Sequence, residues 1–345
     1  MLERLKPSNW SRTQAQGVSA ALLSAVVLGL SPTFGKQAML AGTPPISVVA
    51  LRTLFAMLAL WVVFALFRRQ YLYIYPVGLY GCLAAGLING LGSLMYYTGL
   101  GRLDASLAQL LYTLYPIFLT LFARLDGHNI SRLTMFRLLL ALLAVYALTR
   151  TGHLETDWAG ALLMLGAGAF YAAHLAVNQR VLYDVPAPTV AVYTLTAMAV
   201  TVSVGYLLAG APVMPPTPAA WEAVLLLTLV TVISRLSLFM GLKRLGGLQT
   251  ALIGLSELLV TVLSALLLLG EKLAPAQWLG AALLAGSILL VVREKGLGVL
   301  PVPKPWLPLV SAHLRPPTAQ PAPTLPSAVT APPVRPTSEP PPPGA

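Results

Sequence analysis

The sequence predicts an all-α membrane protein: ten transmembrane helices arranged as two inverted five-helix repeats, followed by a disordered, proline-rich C-terminal tail. Three observations lead there. Hydrophobic residues make up 57% of the chain and charged residues 10%, with a mean hydropathy of +0.77, whereas a soluble domain has about a quarter of its residues charged. The apolar residues fall into ten runs near the ~20 residues that cross a bilayer as a helix. The two halves of the chain also resemble each other at a constant offset of 142 positions.

Taken in order, the runs lie at about 17–41, 46–67, 75–98, 104–124, 132–150, 157–180, 187–209, 221–241, 248–269 and 275–293, divided by short polar or Pro/Gly breaks. The first run is longer than a signal-peptide core and has no small-residue cleavage site before polar sequence, so it reads as a retained span. Loops alternate in charge. One set carries Arg4, Lys6, Arg68, Arg69, Arg124, Arg180, Lys243 and Arg244 among others; the opposite set carries Arg102, Arg150 and Lys272. The positive-inside rule puts the first set, and both termini, in the cytoplasm, which makes this a multi-pass protein of the cell membrane. Residues 300–345 hold 16 of the 29 prolines and almost no aromatic residues, too little apolar surface to fold, so they read as a cytoplasmic extension.

The same composition excludes several functions. The net charge of +11 comes from short clusters between apolar runs and not from a basic stripe interleaved with aromatics, so nucleic acid is not a partner. Cys82 stands alone, which rules out a disulfide framework or a cysteine-rich metal site within one chain. No HExxH, GxSxG or P-loop occurs, and the histidines are scattered at 128, 153, 174 and 313. No enzyme, cofactor or metal is expected.

The repeat is the most informative feature. YTGLGRLDASLAQLLYTLYP (97–116) falls on FMGLKRLGGLQTALIGLSEL (239–258), with Gly99/Gly241, Leu100/Leu242, Arg102/Arg244, Leu103/Leu245 and Leu110/Leu252 identical. Pro44/Pro186 and Val48/Val190 match upstream, and Leu142/Leu284 and Leu148/Leu290 downstream. Five spans per half is an odd number, which forces the halves into opposite orientations; in secondary transporters that arrangement places the substrate site near the midplane, between the repeats.

The chain resembles the EamA-type members of the drug/metabolite transporter superfamily in VLGLSPTFGKQA, VVALRTLFA, YYTGLGRLDASLAQLLYTLYPIF and the block from FMGLKRLGGLQ to LLAGSILLVV. The resemblance covers two repeats, 17–150 and 157–293, and leaves 300–345 outside. Glu257 and Gly270-Glu271-Lys272-Leu273 stand where the family has its ninth-span Glu segment and GE[KR]L. Leu258 departs from the proline that follows that Glu, Pro116 keeps it in the first half beside Tyr115, and His128-Asn129 stand opposite Gly270-Glu271.

Candidate site residues emerge from polar groups inside spans. Lys36 and Arg52 lie at nearly equal depth below the loop that joins their helices, and their repeat counterparts Asn178 and Thr194 are polar too. Lys36 snorkels to the interface, or with Arg52 it forms a positive outer vestibule for a substrate carboxylate. At the same offset Asn89 pairs with Thr231, Ser93 with Arg235 and Tyr115 with Glu257. Asn89/Ser93 and Thr231/Arg235 are i, i+4 neighbours, so each pair shares one helix face. Asn, Ser and Thr also serve as interhelical glue, but ionisable residues deep in a span mark a pathway. Arg235 and Glu257 differ in depth by only ~4.5 Å at 1.5 Å per residue and are expected to meet as a pair, with Glu257 the proton-coupling candidate. Gly86/Gly90 and Gly168/Ala172/Ala176 read as packing stripes, His174 as a hydrogen-bonded structural group and Pro32 as a kink in the first span.

These readings converge on a secondary active transporter for small polar or amphipathic metabolites, with amino acids or related compounds favoured. It is expected to be an exporter by resemblance, to work by alternating access, to be driven by a proton or an exchanged solute, and to be monomeric. The alternatives are a membrane sensor that signals through the proline-rich tail, or a carrier for nucleosides, organic acids or drugs. A channel is disfavoured because no filter loop repeats.

Overall fold

Inside a bilayer no water is at hand for backbone N–H and C=O groups, so each apolar run must close its hydrogen bonds within a helix. The computed structural model of the chain describes residues 12–125, 157–210 and 214–270, with isolated positions between 132 and 143 and at 279, 282 and 283. The helices are α1 (Arg12–Leu28), α2 (Ser31–Leu40), α3 (Pro45–Phe67), α4 (Pro76–Arg102), α5 (Ala105–Tyr112), α6 (Tyr115–Leu125), α7 (Trp158–Asp184), α8 (Ala187–Ala209), α9 (Pro218–Leu245), α10 (Gly247–Gly254) and α11 (Ser256–Ser264), the last running into a π-helical turn at Ala265–Leu269. Among the described residues they make eight spans long and apolar enough to cross a membrane, with α1–α2, α5–α6 and α10–α11 each forming one span. The spans predicted at 132–150 and 275–293 fall largely outside the described residues, and the tail from 300 wholly so.

Helix ends follow the sequence. Pro45, Pro76 and Pro218 open α3, α4 and α9, the position where a missing N–H costs no hydrogen bond. Asp157 caps α7 by accepting from the Ala159 and Gly160 amides, and Gly246, at φ 80°, makes the turn between α9 and α10.

Three spans are broken near the middle. Pro32 and Pro116 are the second residues of α2 and α6; each lacks an amide hydrogen and crowds the carbonyl four residues back, so the helix stops and restarts. The break at Leu255 has no proline, because Leu258 stands there. Instead the Ser256 hydroxyl donates back to the Ile253 carbonyl at 2.9 Å, a bond that bends helices. At two of the breaks a carbonyl is held from another span: the Thr261 hydroxyl donates to Gly29 O at 2.7 Å and the Tyr115 hydroxyl to Ala251 O at 3.0 Å.

The repeat survives in the architecture. α3 and α8 start and end 142 residues apart, as do α5 and α10. The orientation of the halves follows from their contacts. The Ser31 hydroxyl meets the Tyr97 hydroxyl, Gly35 lies against Leu100 and Gly101 against Met39, so the first span runs parallel to α4. Gly17 lies against Leu245 and the Ser24 hydroxyl donates to Ser234 O, so the same span runs antiparallel to α9, the repeat counterpart of α4. The two halves are therefore inverted. The equivalent exchanged pair, α4 with α7, is antiparallel too, with Gly99 against Met164 and the Ala85 carbonyl against His174.

Close approach uses the predicted small residues: Gly86 lies on Ala197 and Gly90 on Thr201 of α8. Tyr97, Tyr115, Met164, Leu175, Met198 and Phe239 fill a core drawn from both halves. Leu83, Leu87 and Leu91 on α4 and Leu225 and Leu229 on α9 form exposed apolar rows, the lipid-facing surface that a spanning helix requires.

Candidate functional site

Where the broken spans meet the long helices, polar side chains from both halves enclose a cavity of about 40 Å³. α3 contributes Arg52, α4 Asn89 and Ser93, α5 Gln109, α9 Arg235 and α11 Glu257; tyrosines at 96, 97, 112 and 171 complete the wall. Every charged member is buried: Arg52 is 4% exposed, Arg235 7% and Glu257 3%.

One pole is cationic. The Arg52 guanidinium carbon lies 4.7 Å from the Tyr97 ring centroid, and its Nη1 donates to Thr231 Oγ1 at 3.0 Å. Its Nε is buried without a hydrogen-bond partner. Arg235, one turn beyond Thr231 on the same face of α9, has Nη1 3.3 Å from His174 Nε2 and Nη2 4.0 Å from Met198 Sδ. His174 Nδ1 lies 3.0 Å from the Ala85 carbonyl, which can only accept. Asn178 Nδ2 lies 3.0 Å from the same nitrogen, but the Arg235 guanidinium can only donate, so Nε2 is the acceptor there and the imidazole is neutral. Asn178 stands behind: its Nδ2 donates to His174 O at 2.9 Å and its Oδ1 accepts from Thr194 at 3.2 Å.

The other pole is a carboxylate in a ring of tyrosines. Glu257 occupies the first turn of α11, where the helix dipole favours an acid. Gln109 Nε2 donates to it at 3.4 Å, and the Gln109 Oε1 accepts from the Tyr96 hydroxyl at 2.9 Å. Tyr96 packs on Tyr112 with centroids 4.9 Å apart, and Tyr115 packs on Tyr171 at the same spacing.

Of the residues singled out in the sequence, Arg52, Asn89, Ser93, Arg235 and Glu257 line this one cavity. Asn89 also donates to Met198 Sδ at 3.0 Å. Thr231 touches the cavity through Arg52. Tyr115 lies behind Glu257 against a second small void, and Asn178 is held within α7 and α8. Lys36 is elsewhere: its ammonium donates to Leu100 O at 3.1 Å and Leu103 O at 2.8 Å, closing carbonyls at the end of α4. The joint vestibule of Lys36 and Arg52 is therefore not formed.

Nor do Arg235 and Glu257 form an ion pair. Among the described residues the salt bridge is Arg102–Asp157, at 3.1 Å. Counting residues from the α9–α10 turn fixes depth and not azimuth, and the break at Leu255 gives α11 a new axis, so Arg235 turns to His174 and Glu257 to Gln109. Sequence reasoning missed Gln109 and Tyr96, Tyr112 and Tyr171. Aromatic residues in mid-span, away from the interfacial belts, were the available signal for the tyrosines. Gln109 had none, since its repeat counterpart is Ala251.

Inverted halves of membrane-spanning helices that enclose a charged cavity define a membrane transporter. The EamA-like transporter family matches the chain twice, over residues 15–150 and 158–293, and the chain belongs to that family. The uncharacterized transporter YcbK of Bacillus subtilis (strain 168) is 23% identical over 297 residues, 81% of this chain and 93% of that protein. A solved crystal structure superposes with a TM-score of 0.61 at 21% identity, covering 82% of this chain and 96% of its own, a likeness of fold.

Proposed function

We propose that this protein is a secondary active transporter for small polar or amphipathic metabolites, amino acids and related compounds foremost, working as an exporter of the cell membrane by alternating access. The observation that carries the reading is the buried cavity with charged residues from both inverted halves. Charges at that depth are expensive in a bilayer and mark a solute path. At about 40 Å³, against roughly 300 Å³ or more for a small-molecule pocket, the cavity admits a solute only when helices part, as alternation between two openings requires. Export direction rests on family resemblance. Glu257 is the group proposed to couple a proton or exchanged solute to the cycle; both termini are cytoplasmic and a single chain suffices.

The test is counterflow in proteoliposomes loaded with amino acids, nucleosides, organic acids or amines. Saturable exchange of one class, lost in Glu257→Gln and Arg235→Gln variants that still fold, is expected; none with any class refutes the reading. Topology is tested by single-cysteine labelling in a Cys82→Ala background. Position 246 should label from the cytoplasm and position 215 from outside, and the reverse would overturn the assigned orientation.

A further inference from the structure

We propose that the cavity is an organic-anion site: the solute it takes carries net negative charge, and its carboxylate is held by Arg52 and Arg235. The inference rests on the cavity being the transport site, and goes beyond that reading by fixing the charge of the solute. The count is simple. Arg52 and Arg235 contribute two positive charges. His174 contributes none, because its Nε2 is the acceptor for Arg235. Glu257 contributes one negative charge when ionised and none when protonated. The wall therefore carries +1 or +2, and in neither state is it neutral. Among the described residues the remaining acids, Asp104, Asp157, Asp184 and Glu222, are at helix ends and partly or fully exposed, too far into the aqueous margin to neutralise a mid-span charge.

The partners of the two guanidiniums are all neutral. Arg52 has the Tyr97 face and the Thr231 hydroxyl, and Arg235 has His174 and Met198 Sδ. Thr231, which accepts from Arg52, and Arg235 are i, i+4 on α9, so both guanidiniums meet the cavity along one face of that helix. Two like charges buried in the wall of one cavity call for an anionic acceptor. Arg52, a residue of the cavity wall, has a donor to spare: its Nε is buried and unpartnered. Beside Nη2 on the same edge, Nε completes the fork that binds a carboxylate through two parallel hydrogen bonds. An amine or a neutral zwitterion leaves the excess positive charge in place; an anion removes it. An acidic amino acid meets the whole wall, with two carboxylates for the arginines and its ammonium toward Glu257 and the tyrosines.

The experiment compares acids with their own amides, which match in size and differ in charge. Thermal unfolding of the purified full chain in detergent is followed with L-glutamate against L-glutamine and propionate against propionamide, at constant ionic strength set by potassium chloride. The expected result is a saturable rise in Tm with half-effect at a tenfold or lower concentration for the acid in at least one pair. Arg52→Gln should reduce that apparent affinity tenfold or more; if it does not fold, Arg52→Lys, which keeps the charge and removes the fork, should weaken it severalfold. Amides as effective as their acids, or a shift reproduced by chloride alone, overturn the anion assignment and leave the transporter reading standing. No shift with any of these probes, joined to a failure of counterflow for every class, overturns both.

Discussion

Gly29→Ala is the sharpest test of how the broken spans hold the site. A Cβ at position 29 would lie 2.7 Å from the Glu257 carbonyl oxygen and 2.7 Å from Val260 Cβ, where carbon atoms settle at ~3.5–4.0 Å. The obstacle includes main chain, and Gly29 is itself fixed by the Thr261 hydroxyl, 2.7 Å from its carbonyl. Overpacking of this kind costs ~1–3 kcal/mol. Gly241→Ala is the milder comparison: its Cβ would meet Ala21 Cβ, N and Cα at 3.1 to 3.2 Å, a misfit of tenths of an ångström set against the ~1 kcal/mol that alanine gains in a helix. At ~2–4 °C per kcal/mol, Gly29→Ala should lower Tm by several degrees and Gly241→Ala by less. Thermal unfolding in detergent measures both, and transport rate per folded molecule measures the displacement of Glu257, whose own carbonyl is struck. Gly29→Ala within about 1 °C of wild type, or Gly241→Ala falling further than Gly29→Ala, would refute the packing argument.

Tyr115→Phe should cost ~1–3 kcal/mol, because Ala251 O loses its donor in a buried site; an unchanged Tm would show that the break needs no cap. Lys36→Met should lower Tm by stranding the Leu100 and Leu103 carbonyls yet leave the acid-over-amide preference intact, and loss of that preference would return Lys36 to the solute path. The Gly160 amide and the Arg102 guanidinium hold Asp157 below the ordinary carboxylate value. A depressed folded value gives stability that is complete above the unfolded value of about 3.9 and lost as pH falls through the folded one. Asp157→Ala should therefore flatten the acid limb of Tm against pH, and an unchanged limb would sink the assignment. Ser93→Arg should destabilise the fold, and adding Arg235→Ser should recover much of the loss; no recovery would separate the two positions.

The sequence marks what the bilayer dictates. Helix α8 begins and ends at the residues expected, 187 and 209, and α3 lies within one residue of 46–67, because proline, glycine and polar loops bound each run and membrane thickness fixes its length. Two of the three breaks are visible as Pro32 and Pro116; the third, at Leu255, is set by a serine back-bond and by Gly29 packed on the Glu257 carbonyl, neither of which has a sequence signature. Depth was legible and azimuth was not. Lys36 and Arg52 share a level, yet one points to the carboxyl end of α4 and the other into the cavity. Comparing repeats found positions polar in both halves, and so passed over Gln109, whose counterpart is apolar.

The asymmetry of charge between the halves has a physical cause. Ser93 and Arg235 are related by the repeat, and both reach the same cavity. A second arginine at 93 would add a like charge to the same cavity, where each pair ~5 Å apart repels by about 3 kcal/mol at an effective dielectric near 20, and would add the desolvation of another ion. Tyr115/Glu257 and Arg52/Thr194 follow the same rule, with a charge on one member and a neutral partner on the other. Inversion carries equivalent positions toward a common centre, so a repeat copied faithfully would crowd identical charges there. With one charge per pair, the arginines come from α3 of the first half and α9 of the second, and the carboxylate from α11. A two-fold backbone thereby holds a site with two unlike ends.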